Sequence, residues 1–132
     1  MAHLSRRAVL IAAAALSAFG GCGGERRVET ADAARCLAAD DIATAQRGDP
    51  EAATDVLAFE IPSEPTPTRG LLIFVADADD AEKLEAEIAA EAKAQGHEAV
   101  LLRERNVIAH FLARNGPTAE ERDRIRRCLE PS

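Results

Sequence analysis

Apolar and polar residues alternate between residues 55 and 61, where Leu57, Phe59 and Ile61 fall on one side of an extended chain. This period of two predicts a half-buried β-strand. Residues 71–76, with the sequence LLIFVA, are all apolar, which is typical of a strand buried on both faces of a sheet. Two further strands are expected at 97–103 and 107–113, on either side of a polar turn. The pattern therefore predicts four strands.

Three other segments have the apolar spacing of helices. The first covers residues 31–39 and could run on towards Gly48. The second extends from about residue 78 to 95, where acids open the helix and a glycine ends it. The third begins at Thr118, which has the spacing of a capping box with Glu121. Its expected inward-facing residues are Ile125, Cys128 and Leu129.

The resulting element order is αββαββα. A crossover from the second strand to the third leaves room for the fourth strand between them. We therefore expect an α+β domain with a four-stranded antiparallel sheet in the order 1-2-4-3 and helices mainly on one face. This arrangement resembles the split βαβ unit of ferredoxin-like sandwiches, with an added N-terminal helix.

The second and fourth strands are apolar on both sides, so helices on one face cannot bury all of their side chains. Something else should cover the other face. A second copy of the sheet is one candidate and the first helix is another. The sequence leaves both alternatives open.

The first 21 residues have the layout of an export signal. Arg6 and Arg7 precede the mostly apolar run 8–19, and no acid occurs before residue 25. As a helix, this run would be about 18 Å long, well short of the roughly 30 Å hydrocarbon core of a membrane. It is therefore expected to be a cleaved leader. The stretch SRRAVL also resembles a twin-arginine motif, so the general secretory and twin-arginine routes both remain open.

Phe19, Gly20 and Gly21 directly precede Cys22, and this stretch resembles the lipobox of bacterial lipoproteins, which usually has Leu where Phe19 stands. The resemblance implies cleavage between Gly21 and Cys22. It also implies diacylglycerol on the thiol and a fatty acyl group such as palmitate on the new amine. The whole chain is similar to small lipoproteins of high-GC bacteria that end in a cysteine-leucine helix after a hairpin.

This resemblance implies three segments. Residues 1–21 would be the signal peptide, 22–30 the lipidated cysteine and a flexible tether, and 31–132 a single domain. The domain would lie on the extracytoplasmic face of the cell membrane, held there by its lipid.

Removal of the leader, which holds two arginines and no acid, would change the net charge from −7 to −9. Such a charge opposes binding to phosphates, so nucleic acid is not an expected partner. The remaining chain has three phenylalanines and no tryptophan or tyrosine, so its core must be modest.

Cys36 and Cys128 form an even pair in an oxidising compartment once Cys22 is set aside, and they predict a disulfide between the first and last helices. Closing such a long loop would stabilise the domain by about 4 to 5 kcal/mol in the chain-entropy model. Metal binding by these thiols, or a nucleophilic cysteine, is the competing interpretation. No second cysteine or histidine lies at ligand spacing beside either one.

No catalytic constellation is recognisable in the sequence. Asp77, Asp79 and Asp80 lack the spacing of an EF-hand and are better explained as the start of a helix. His97 and His110 have no partner at ligand spacing, and no serine lies in a nucleophile motif. We therefore expect no enzymatic activity, no metal and no cofactor.

The expected function is a lipid-anchored domain of the cell envelope that binds another envelope protein, or a second copy of itself, through its sheet. The alternative is a binder of a small ligand or cell-wall fragment that uses the loop 62–70 and the turn 103–106. Basic and amide groups at the turn could hold an anionic group. The candidate binding residues are Arg103, Arg105, Asn106 and His110.

Overall fold

The computed structural model describes residues 26–47, 54–112 and 116–130 of the chain. The described elements form one antiparallel sheet with three helices, in the sheet order β1-β2-β3-β5-β4. The elements are α1 (Thr30–Ala39), β1 (Ala43–Gln46), β2 (Asp55–Ile61), β3 (Thr68–Phe74), α2 (Ala78–Ala94), β4 (Val100–Glu104), β5 (Val107–Phe111) and α3 (Ala119–Leu129).

The expected four-stranded sheet in the order 1-2-4-3 is wrong, because β1 adds a fifth strand beside β2. The first helix does not run on towards residue 48. It ends at Ala39, where the amides of Asp40 and Ile42 both donate to the carbonyl of Leu37. Asp41 then takes a positive φ of 60° and turns the chain back along β2. The element order is therefore αβββαββα.

The expected ferredoxin-like sandwich is also wrong, because only two of the three described helices lie on the same face of the sheet. α1 and α3 pack on one face of the sheet, and α2 packs on the other, over β4 and β5. Both faces need cover because β3 and β5 carry apolar side chains on both sides. Ile73 and Ile108, for example, lie against Ala81 and Leu84 of α2.

The main core lies between the sheet and the pair α1 and α3. It contains Phe59, Phe74 and Phe111, each no more than 3% exposed. The rings of Phe59 and Phe111 meet edge to face at 5.5 Å. Gly70 makes this possible, because a Cβ there would lie 2.4 Å from the Phe59 ring. A small core thus depends on close contact between a few large side chains.

A disulfide joins Cys36 of α1 to Cys128 of α3, with 5.4 Å between the two Cα atoms, and this confirms the predicted pairing. A second link lies nearby, where Nε of Arg124 donates to Oδ2 of Asp40 over 2.8 Å. The same guanidinium also donates to the Asp40 carbonyl oxygen over 2.7 Å. The first and last helices are therefore held together by a covalent and an ionic contact.

The helix starts follow the sequence signals. The Asp77 carboxylate accepts from the amide of Asp80 and caps α2. The capping box at α3 is confirmed, with Thr118 and Glu121 bonded reciprocally. Within the described ranges, no helix is both long and apolar enough to cross a membrane.

Candidate functional site: the open sheet surface

The face of the sheet that carries α2 is only partly covered. In the described part of the chain, no element lies over β1, β2 and the adjoining side of β3. We call this area the open sheet surface; it forms a shallow depression of about 700 Å³. Its side chains on this face are Ala43, Ala45, Arg47, Val56, Ala58, Glu60, Arg69, Leu71 and Leu112.

The centre of this surface is shallow and apolar because its side chains are small. β1 contributes two alanines and β2 contributes Val56 and Ala58, which are half-buried. Leu112 at the margin is 56% exposed, which is unusual for a large apolar side chain in this domain. The charged rim includes an ion pair between Nε of Arg69 and Oε1 of Glu60 at 2.7 Å. Both partners are exposed, so this pair contributes little stability.

The open sheet surface ends at the outer edge of β1. The Arg47 amide donates to the Val56 carbonyl over 2.8 Å, so alternate residues of β1 direct their backbone groups towards β2. Thr44 and Gln46 therefore direct theirs outwards, where no described strand pairs with them. The strand sequence ATAQ also lacks the charge or proline that usually protects a sheet edge.

The structure gives the predicted turn residues a role in holding the fold. Nε of Arg103 contacts Oε1 of Glu85 on α2 at 3.1 Å. Asn106 is 2% exposed, and its Oδ1 accepts from the Val28 amide over 2.7 Å. Its Nδ2 donates to the carbonyls of Val28 and Val75. Asn106 is therefore a buried bridge between three segments.

The expected loop 62–70 is shorter in the structure, because β3 already begins at Thr68. This loop and the turn 103–106 lie at opposite ends of the sheet. β2 and β3 meet at the loop through the pair Ile61 and Thr68, whereas Phe74, at the other end of β3, pairs with Val107 next to the turn. Seven residues of strand span about 20 Å. The structure therefore does not bring these two segments into one binding site.

The loop between β2 and β3 borders its own cavity of about 520 Å³, which Glu121 also lines. The Glu121 carboxylate is buried, but both of its oxygens are engaged. Oε1 accepts from the Thr118 amide over 2.9 Å, and Oε2 accepts from the Thr68 hydroxyl over 3.0 Å. These bonds join α3 to β3, so Glu121 acts in packing.

His110 lies on β5, opposite Leu71 on one side and Leu101 on the other. Burial lowers the pKa of His110 below its usual value, and the nearby charge of His97 lowers it further. The imidazole is therefore neutral at neutral pH. In the parts of the chain that the structure covers, no group of three or more histidine, cysteine or acidic side chains is placed to hold a metal ion.

The proposed cleavage and lipidation positions, Gly21 and Cys22, lie outside the described residues. The open sheet surface itself was not foreseen, because it depends on β1. The pair Asp40 and Asp41 is the signal that could have indicated β1, since aspartate tolerates the left-handed turn seen at Asp41. In the comparisons with known proteins, no protein-family model, no curated protein and no solved structure matches the chain.

Proposed function

We propose that this chain is a lipid-anchored domain of the cell envelope whose role is protein interaction, and that its first partner is a second copy of itself. The signal-like residues 1–21 and the lipobox-like stretch ending at Cys22 support the anchor. The unpaired outer edge of β1, next to the open sheet surface, carries the interaction part of the proposal, within the part of the chain that is described.

The proposed contact is antiparallel pairing of β1 with β1 of the second copy. Directly opposite residues of two strands share a face, and Thr44 directs its backbone groups outwards. Both conditions are met when Thr44 pairs with Thr44 of the other copy. Ala43 then lies opposite Ala45 at the open sheet surface, and Arg47 approaches Asp41. This twofold register thus brings opposite charges together twice.

The small surface area buried by this contact indicates a weak complex in free solution. Standard interfaces bury about 800 Å² on each partner, which is far more than a four-residue edge offers. A lipid anchor favours the dimer, because confining both copies to one membrane raises their effective concentration. The pairing would also join two open sheet surfaces into one wider surface that another envelope protein could bind.

The replacement Thr44→Cys tests this register. If Cys22 carries lipid and Cys36 is bonded to Cys128, the thiol introduced at position 44 is the one free thiol of the anchored protein. Facing residues in a hydrogen-bonded antiparallel pair have Cα atoms about 5.5 Å apart, which is within disulfide range. We expect mild oxidation of isolated membranes to give a covalent dimer on a non-reducing gel.

The matched control is Gln46→Cys, which lies on the same face of the same strand. In the proposed register, the two Gln46 positions are four residues apart along the strands and about 13 Å from each other. This variant should remain monomeric under the same oxidation. Equal dimer yields from the two variants, or no dimer from Thr44→Cys, would contradict the proposed pairing.

A further inference from the structure

Four arginines line one cavity at the end of the domain where the described chain begins. Arg26, Arg27, Arg105 and Arg127 line a cavity of about 400 Å³, and we call them the arginine cluster. They come from three separate segments. The first two precede α1, Arg105 lies in the β4–β5 turn, and Arg127 is in the last turn of α3.

Specific contacts bring these segments together. Nη1 of Arg105 donates to the Arg26 carbonyl over 2.6 Å. The neighbouring Asn106 holds Val28 through two hydrogen bonds. The disulfide from Cys128 fixes the end of α3, and both of its cysteines line the same cavity. The arginine cluster is therefore produced by the fold.

The arginine cluster is positive on a protein that is otherwise acidic. Two acids line the same cavity, Asp32 and Glu130. Asp32 forms an ion pair with Arg35 on α1, so part of its charge is already offset. The whole chain has 23 acids and 16 basic residues. With four arginines and two acids, the lining of this cavity has a positive net charge, and it includes Arg26, the first residue described after Cys22.

We propose that the arginine cluster binds the headgroups of anionic phospholipids and so orients the domain on the membrane. This inference rests on the lipid anchor of the proposed function. Arg26 follows Cys22 by only four positions, so a fully extended chain between them spans at most about 14 Å. That span is less than two Debye lengths at physiological ionic strength, where one is about 8 Å.

The chemistry of arginine suits a phospholipid headgroup. A guanidinium presents paired donors that match two phosphate oxygens. Binding of the arginine cluster to headgroups would add an electrostatic contact to the acyl anchor. Stable membrane association usually combines two such signals, for example an acyl chain and a basic patch. An anionic membrane surface repels the acidic remainder of the domain. The attraction of the arginine cluster therefore determines which side of the domain faces the membrane.

The test measures how fast each arginine reacts with phenylglyoxal when the lipidated full-length product is reconstituted in vesicles. Mass spectrometry gives the rates separately for each position. On vesicles containing phosphatidylglycerol, the arginine cluster should react at least about threefold more slowly than on pure phosphatidylcholine vesicles. High salt should remove this difference, since it screens the attraction.

Arg47 and Arg69 are the internal controls, because both are exposed and belong to the open sheet surface. Their rates should be the same on both kinds of vesicle. Equal rates for the arginine cluster on both vesicles would overturn the proposal, as would equal protection of the controls. Protection by inorganic phosphate on neutral vesicles would assign the cavity to a free anion instead.

A matched pair of variants tests cooperation within the arginine cluster. Arg127→Gln should weaken the attraction of the arginine cluster to anionic vesicles by up to about fivefold, the effect expected for one basic residue near an anionic surface, and so reduce the protection of Arg26 and Arg27. Arg122→Gln removes the same charge from α3 outside the cavity and should leave the protection unchanged. Equal effects of the two variants would contradict the proposal.

If Cys22 proves to carry no lipid, the protein can be coupled to the same vesicles through that thiol with a maleimide lipid. The arginine rates would then be measured in the same way. The modification state of Cys22 therefore tests the lipid anchor, and the arginine rates of the coupled protein test headgroup binding separately.

Discussion

Replacing Cys36 with serine and Cys128 with alanine is expected to lower the free energy of unfolding by about 4 to 5 kcal/mol, because the disulfide closes a loop with a sequence separation of 92. Alanine is chosen at position 128 because that side chain is buried. Small domains are typically stable by only about 5 to 15 kcal/mol, so this variant should be close to unfolding at about 37 °C. Urea denaturation with and without reductant measures the loss.

Reduction of the unmodified protein should reproduce the destabilisation of the double variant. Cys22→Ser is the matched control, because Cys22 is outside the disulfide, and it should leave the urea midpoint unchanged. If both reduction and the double variant cost less than about 1 kcal/mol, the disulfide does not supply the stability that the chain-entropy model assigns to it.

The second large effect is expected at Asn106. The variant Asn106→Ala leaves the Val28 amide and the carbonyls of Val28 and Val75 without their side-chain partner. Each buried polar group left unsatisfied costs about 1 to 3 kcal/mol, and some of these groups will regain water. We therefore expect a loss of about 3 kcal/mol in the free energy of unfolding, measured by urea denaturation.

Hydrogen exchange separates this local role from general destabilisation. The Val28 amide should exchange much faster in Asn106→Ala, because the chain before α1 loses its attachment to the β4–β5 turn. Gln46→Ala is the control, since it removes an exposed amide that bonds to Asp55 and should cost less than about 0.5 kcal/mol. Unchanged protection at Val28 would show that Asn106 does not hold this segment.

Local patterns in the sequence predicted several elements well. Alternation at Leu57, Phe59 and Ile61 predicted a strand, and β2 covers that stretch with all three side chains buried. The spacing of Thr118 and Glu121 predicted the start of α3. These predictions succeeded because each depends on residues close together in the chain.

The remaining features depend on contacts between distant segments. β1 has the sequence ATAQ, and alanine and glutamine give no strand signal. It is a strand because the turn at Asp41 places it beside β2. The apolar residues on both sides of β3 did indicate that both faces needed cover. Periodicity alone could not show that α2 would cover the second face over β4 and β5.

The candidate site was predicted less completely than the fold. Arg103, Arg105 and Asn106 were expected to share a role at a hairpin tip, yet the structure separates them. Arg103 contacts α2, Arg105 contacts the carbonyl of Arg26, and Asn106 is buried. Adjacent residues in a turn point in different directions, and only their partners elsewhere in the chain determine what each one does.

The most direct test of the proposed lipid anchor is the intact mass of the protein purified from the membranes of a bacterial host that expresses it, with fragmentation to locate any modification. We predict an N-terminus at Cys22, with diacylglycerol on its sulfur and a further acyl group on its amine. A product that retains residues 1–21, or one that is cleaved but carries an unmodified Cys22, would contradict the proposed membrane anchor.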